Sequence, residues 1–151
     1  MSMFDAFKRM FKKKSKTVPL TEEQLRWNQI WDIWAEGKAE SPYTELMAYQ
    51  GDVGNGGHSQ FFGNLSATGD LQNTMAMLKE VLSYDLKQNL ENAYKAHLRF
   101  EENYEDEEAE RMIDACDSFF FERESEITQM LEQYASTIEL KGEVKYERAD
   151  K

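Results

Sequence analysis

A dense glycine cluster is the feature that most constrains how this chain can fold. Five of its eight glycines lie within residues 51–64, between two stretches of helical pattern. Glycine loses more backbone freedom on folding than any other residue, so a cluster predicts a positive φ or the close approach of another group. We therefore expect a glycine-rich joint at residues 51–58 that connects two helices.

The apolar residues elsewhere recur at the spacing of helices. Six helical segments are predicted, and they begin near Thr21, Ser41, Ser59, Asp70, Asp85 and Asp106. The first has the clearest start, because Thr21 and Gln24 have the spacing of a capping box. No alternating pattern of comparable strength predicts a sheet. The sequence therefore predicts an all-α fold, a single-domain bundle of about six helices.

The charge divides the chain into three segments. Residues 1–16 hold six of the 18 basic residues and one of the 29 acidic residues, which leaves a net charge of −16 for residues 17–151. We expect a basic amphipathic leader at 1–16, an acidic helical domain at 20–140 and a loosely ordered tail at 141–151. The acidic domain repels phosphate, which argues against direct binding of nucleic acid.

Composition also bears on the compartment. Cys116 is the single cysteine, so the chain has no internal disulfide, and no apolar run reaches the roughly 18 residues of a spanning helix. The first residues also lack the apolar stretch of a secretory signal. We therefore expect a cytoplasmic protein.

Motifs for catalysis and cofactor binding are missing from the sequence. Gly54 and Gly56 would need a third glycine at Ser59 to form a dinucleotide-binding loop, and the histidines His58 and His97 are 39 residues apart. Cys116 lies on an apolar helical stripe, where a free cysteine behaves as a small hydrophobic residue. The sequence therefore predicts no catalytic residue, no metal site and no cofactor, and the protein is not expected to be an enzyme.

Polar residues in the glycine-rich segment leave two interpretations open. These residues are Asp52, Asn55, His58, Gln60 and Asn64. In the first interpretation, they satisfy backbone groups that a tight turn between helices leaves unpaired. In the second, they converge on a small molecule or form an enzymatic site.

A run of acidic residues is the other candidate surface. Between Arg99 and Glu126 there are twelve acidic residues and three arginines. Carboxylates four residues apart on a helix form rows that resemble a phosphate backbone, although a charge run is also typical of a solvated face. The candidate partner-binding residues are Glu101, Glu102, Glu105, Asp106, Glu108, Glu110, Asp114 and Asp117.

The glycine-rich segment also resembles a known family signature. Asn55-Gly56-Gly57, followed by Gln60-Phe61-Phe62 and Asn64, is similar to the motif of a small bacterial helical family named after an acidic DNA-mimic protein. His58 stands where that motif has an aromatic residue, and residues 114–134 resemble the family's terminal helix. The motif residues expected to be structural are Gly51, Asp52, Asn55, Gly56, Gly57, Gln60, Phe61, Phe62 and Asn64.

The resemblance implies an all-α domain, often a homodimer, whose characterised member binds a transcription factor by presenting carboxylates in place of DNA phosphates. We therefore expect a non-enzymatic interaction protein that sequesters a basic protein, such as a DNA-binding regulator. The family motif does not contain the mimicking acids, so residues 101–117 are assigned on charge density alone.

The basic leader suggests a further alternative. Phe4, Phe7, Met10 and Phe11 fall on one helical face among lysines, a pattern typical of a helix that lies on an anionic membrane surface. One short helix with so small an apolar face binds a membrane weakly. This hypothesis predicts peripheral membrane contact through residues 4–16.

Overall fold

A computed structural model of the chain describes residues 20–141. The leader at 1–16 and all but Lys141 of the predicted tail lie outside the described residues. Five helices and no strand form within the described range: α1 (Glu22–Ala35), α2 (Tyr43–Thr68), α3 (Leu71–Val81), α4 (Tyr84–Glu102) and α5 (Glu107–Thr137). The prediction of an all-α fold is confirmed. None of these helices is both long and apolar enough to cross a bilayer.

The number of helices differs from the six predicted. Helix α2 runs through the glycine-rich segment, and within it only Gly56 (φ −149°) and Gly57 (φ 75°) have non-helical torsions. The departure from helix is therefore a kink of two residues, not a joint spanning residues 51–58. The prediction counted the two halves of α2 as separate helices because glycine content alone does not say which glycines leave the helical conformation.

The helix ends follow local chemistry. The Thr21 hydroxyl accepts from the Gln24 amide at 3.1 Å, and the Gln24 side-chain oxygen accepts from the Thr21 amide at 2.9 Å. This reciprocal pair is the predicted capping box at the start of α1. Gly69 (φ 74°) ends α2, and Ser83 caps α4.

The chain divides into two compact units. In the described part of the first, α1 is joined to the end of α5 and the residues that follow it. Arg26 donates to the carbonyls of Ala135 and Ile138 at 3.3 and 2.7 Å. Gln29 donates to the Glu139 carbonyl and accepts from the Lys141 amide at 2.7 Å. The Gln29 side chain therefore binds the backbone of Glu139 and of Lys141, the first residue of the predicted tail.

The second unit, Glu40–Gln129, contains α2, α3, α4 and most of α5. Helix α2 contacts both α3 and α4. A small cluster of Ala96, Ala109 and Ile113 packs α4 against α5 beside the turn that joins them. The largest fully buried side chains in this unit are Tyr49, Phe61, Phe62, Phe120, Leu46, Met47, Leu78, Leu86, Leu90 and Ile127.

Candidate functional site

The kink in α2 is fixed by a carboxylate from α5. Gly57 has φ 75° and ψ −178°, a combination that is essentially restricted to glycine. A Cβ atom at this position would collide with the carboxylate oxygen Oδ2 of Asp117. Gly57 is thus required both by its backbone conformation and by the close approach of Asp117.

The same carboxylate binds His58, which is completely buried. Oδ1 of Asp117 lies 2.8 Å from the His58 amide nitrogen and 2.6 Å from its ring Nδ1. The other ring nitrogen, Nε2, lies 2.7 Å from the hydroxyl of Tyr49. Burial, with smaller contributions from Cys116 and Asp117, raises the pKa of Tyr49, so its hydroxyl stays protonated and donates. With the Tyr49 hydroxyl as donor, Nε2 accepts and Nδ1 carries the hydrogen that is donated to Asp117.

Aromatic rings surround this hydrogen-bonded set. The His58 ring stacks on Phe62 with centroids 6.3 Å apart and meets the edge of Phe120 at 6.1 Å. Tyr49 packs edge-on against Phe61 and Phe120. The imidazole of His58 therefore packs as an aromatic ring among aromatic rings, and it also makes two side-chain hydrogen bonds.

The remaining polar residues of the motif bind one another. Asp52 accepts at Oδ1 from the amides of Gln60 and Asn64, at 3.2 and 3.1 Å. Asn55 donates to Gln60 Oε1 at 2.9 Å. These bonds join the turns on either side of the kink. The motif residues were expected to bond to backbone groups or to a ligand, and the structure instead brings them together as a network of side chains.

This arrangement favours a structural role for the kink. His58 and Tyr49 have no exposed surface with which to meet a substrate. Within residues 20–141, no group of three or more His, Cys, Asp or Glu side chains is placed to hold a metal ion. Cys116 is also buried. Its burial, and to a smaller extent the negative charge of the nearby Asp117, raises the pKa of its thiol to about 11. The thiol therefore remains protonated and unreactive near neutral pH.

The eight acidic candidates lie at the end of α4, on the turn after it and on the first three turns of α5. Four of them have cationic or histidine partners. Glu101 Oε1 lies 2.6 Å from His97 Nε2, Arg99 pairs with Asp106 and Glu108, and Asp117 pairs with His58. Four are exposed and make no ion pair within the described residues: Glu102, Glu105, Glu110 and Asp114.

Hydrogen bonds hold the turn between α4 and α5 in one conformation. The Asn103 side chain accepts from the Glu105 amide at 3.0 Å, and the Asn103 carbonyl accepts from the Asp106 amide at 3.1 Å. Asp106 accepts from the Ala109 amide at 3.0 Å, as an N-cap residue does, and receives two bonds from Arg99 at 2.9 and 3.0 Å. The carboxylates on this turn are therefore carried by an ordered backbone.

These contacts stabilise the ionised form of Asp106. The hydrogen bond from the Ala109 amide, and then the Arg99 guanidinium, lower the pKa of this carboxyl against an opposing effect of burial. Because the pKa of Asp106 is lower in the folded state than in the unfolded state, ionised Asp106 stabilises the fold. This contribution to the free energy of unfolding is complete above the ordinary carboxyl pKa. The contribution is lost as the pH falls through the lowered value.

We predict that Arg99→Ala raises the pKa of Asp106 only part of the way to the ordinary value, because the Ala109 hydrogen bond, the largest single cause of the lowered pKa, remains. The measurement is the carboxyl-carbon chemical shift of Asp106 as a function of pH. Arg111→Ala is the control, since Arg111 makes no ion pair with Asp106. An unchanged titration of Asp106 in Arg99→Ala contradicts the assignment.

Sequence reasoning did not identify Tyr49 or Arg99 as partners of these sites. Tyr49 is not among the candidate residues that the sequence pattern selects, and its partner His58 belongs to a set with two open interpretations. Tyr49 precedes His58 by nine residues, and a glycine pair lies between them. This spacing indicates a hydrogen bond between the two side chains only when the geometry of the kink is known. The spacing of Arg99 and Asp106 spans a turn, so no helical periodicity connects them.

The fold and the site together define a small acidic all-α domain built on a kinked, glycine-containing helix. A family model described as DMP19-like protein matches residues 38–138, and the chain belongs to this family. The family indicated by the motif at residues 55–64 is thereby confirmed. Among the curated proteins and the solved structures, none matches the chain.

Proposed function

We propose that this domain is a non-enzymatic binding protein for a basic nucleic-acid-binding protein, to which it presents carboxylates in place of DNA phosphates. The observation that carries the proposal is the set of exposed carboxylates from the end of α4 to the first turns of α5 that have no ion pair with any residue in the range 20–141. Membership of the DMP19-like family supports it. The sequence from 101 to 110 contains seven acidic residues and no lysine or arginine.

The placement of these carboxylates suits recognition by a row of cations. Glu110 and Asp114 are both exposed on α5, and four residues of helix separate them by about 6 Å along the axis. Glu105 lies on the hydrogen-bonded turn. Charges on an ordered backbone lose less conformational entropy on binding than charges on a mobile segment. The net charge of −16 over residues 17–151 adds long-range attraction for a basic partner.

The first experiment is capture of partners by the full chain from a bacterial lysate, with elution by increasing salt and by added duplex DNA. We expect a basic DNA-binding protein that both treatments release. Its affinity should fall about tenfold or more between 50 and 200 mM salt, because association through several charges is strongly screened. Recovery of no basic nucleic-acid-binding protein contradicts the proposal.

A variant that neutralises the exposed carboxylates tests the surface itself. In Glu102→Gln/Glu105→Gln/Glu110→Gln/Asp114→Asn, we expect a loss of affinity of about tenfold or more for the captured partner. The matched control is Glu23→Gln/Asp70→Asn/Glu80→Gln/Glu132→Gln, which removes the same charge from exposed positions on other segments. Equal losses in the two variants would mean that net charge, and not this surface, attracts the partner.

A further inference from the structure

An exposed aromatic side chain lies in the chain between two of the exposed carboxylates, Glu102 and Glu105. Tyr104 is 83% exposed, the highest value among the large hydrophobic residues of the described chain. It follows Glu102 by two residues and directly precedes Glu105, and both of these are exposed. Leu98, near the end of α4, is also exposed at 43%. Solubility does not require a large aromatic ring at this position, and tyrosine is enriched where proteins bind one another.

The exposure of Tyr104 is a property of the ordered turn. Its two neighbours, Asn103 and Glu105, are joined by the hydrogen bond from the Glu105 amide to the Asn103 side chain. Asp106, bound by Arg99 and by the Ala109 amide, holds the other end of the turn. A partner would therefore meet an exposed aromatic side chain that is carried by an ordered backbone.

We propose that Tyr104 anchors an arginine of the basic partner, with the guanidinium stacked on the tyrosine ring and donating to the carboxylate of Glu102 or Glu105. This inference rests on the proposed function and names the chemistry of the contact. The occupant follows from charge complementarity, because residues 101–110 carry no cation and Arg99 is already bound to Asp106 and Glu108.

Arginine fits this arrangement better than lysine does. A guanidinium is planar, is weakly hydrated, stacks on aromatic rings and donates several hydrogen bonds at once, whereas an ammonium is a compact, strongly hydrated charge. Carboxylates alone attract both cations through their charge. A row of phosphates offers no aromatic face, so Tyr104 provides a contact that the DNA backbone does not. This contact should persist at salt concentrations that screen the carboxylates.

The experiment compares two synthetic peptides of equal length and charge, one built on arginine and the other on lysine, as ligands of the full chain. We expect the arginine peptide to bind more tightly, and Tyr104→Ala to reduce that preference by about two- to fivefold. Tyr104→Phe should retain it, because the ring remains. Tyr84→Ala, at another tyrosine that is 72% exposed, is the control and should leave the preference unchanged. Fluorescence anisotropy at 50 and 200 mM salt gives the affinities.

The outcomes separate this inference from the proposed function. If both peptides bind in a salt-dependent manner and Tyr104→Ala leaves the preference for arginine intact, the anchor is wrong and the acidic surface stands. If neither peptide binds the chain at 50 mM salt, the acidic surface itself is wrong. Because Tyr104 is exposed, Tyr104→Ala should keep the wild-type circular dichroism spectrum, so a change in preference reports on the contact.

Discussion

Gly57→Ala should destabilise the domain by about 3–5 kcal/mol. The backbone at Gly57 has φ 75° and ψ −178°, which an alanine adopts only under strain. The new Cβ would also displace the Asp117 carboxylate, which accepts both the amide and the ring N–H of His58. The measurement is urea unfolding followed by circular dichroism.

Neighbouring glycines provide the controls. Gly51 is helical, and a Cβ there meets nothing within 4 Å, so Gly51→Ala should stabilise the domain by up to about 1 kcal/mol. At Gly56 the added atom would meet only the Gln60 side chain, including its Cβ at 3.0 Å, and φ is −149°, which lies outside the left-handed region. Gly56→Ala should therefore cost less than Gly57→Ala. Similar stabilities for Gly57→Ala and Gly51→Ala would contradict the structure of the kink.

The contrast between these glycines explains what the sequence could predict. Local signals were sufficient for the all-α fold and for the capping box at Thr21, because helix periodicity and caps involve residues three or four apart. The choice of Gly57 as the kink depends on Asp117, which comes from another helix. Composition marked the whole segment 51–58, and only the long-range contact selects the two residues that leave the helix.

The acidic surface was predictable to a similar degree. Charge density located the carboxylates around the α4–α5 turn, but it could not tell which of them have internal partners. Asp106 caps α5 and binds Arg99, whereas Asp114 is exposed and has no ion pair with another described residue. Tyr104 was not selected at all, because exposure of an aromatic residue is not a property of its sequence neighbours. Whether an acidic residue has an internal partner depends on contacts across a turn or between helices, which the sequence pattern does not contain.

The second large effect is expected at Asp117. Asp114 is its control, because it lies one turn away on α5 and is exposed. Asp117→Ala should destabilise the domain by about 2–4 kcal/mol, because it leaves two N–H groups of the buried His58 without an acceptor. Asp114→Ala should change the free energy of unfolding by less than about 0.5 kcal/mol, as substitutions at exposed positions usually do. Urea unfolding measures both.

A double-mutant cycle tests whether Asp117 acts through His58. His58→Phe keeps an aromatic ring among Phe62 and Phe120, and it removes the ring N–H that donates to Asp117. In this background Asp117→Ala should cost about 1 kcal/mol less than in the wild type, because one of its two hydrogen bonds is already absent. The backbone amide of residue 58 still needs its acceptor, so the cost should not vanish. Additive effects of the two substitutions would mean that Asp117 stabilises the kink without the imidazole, through the backbone amide alone.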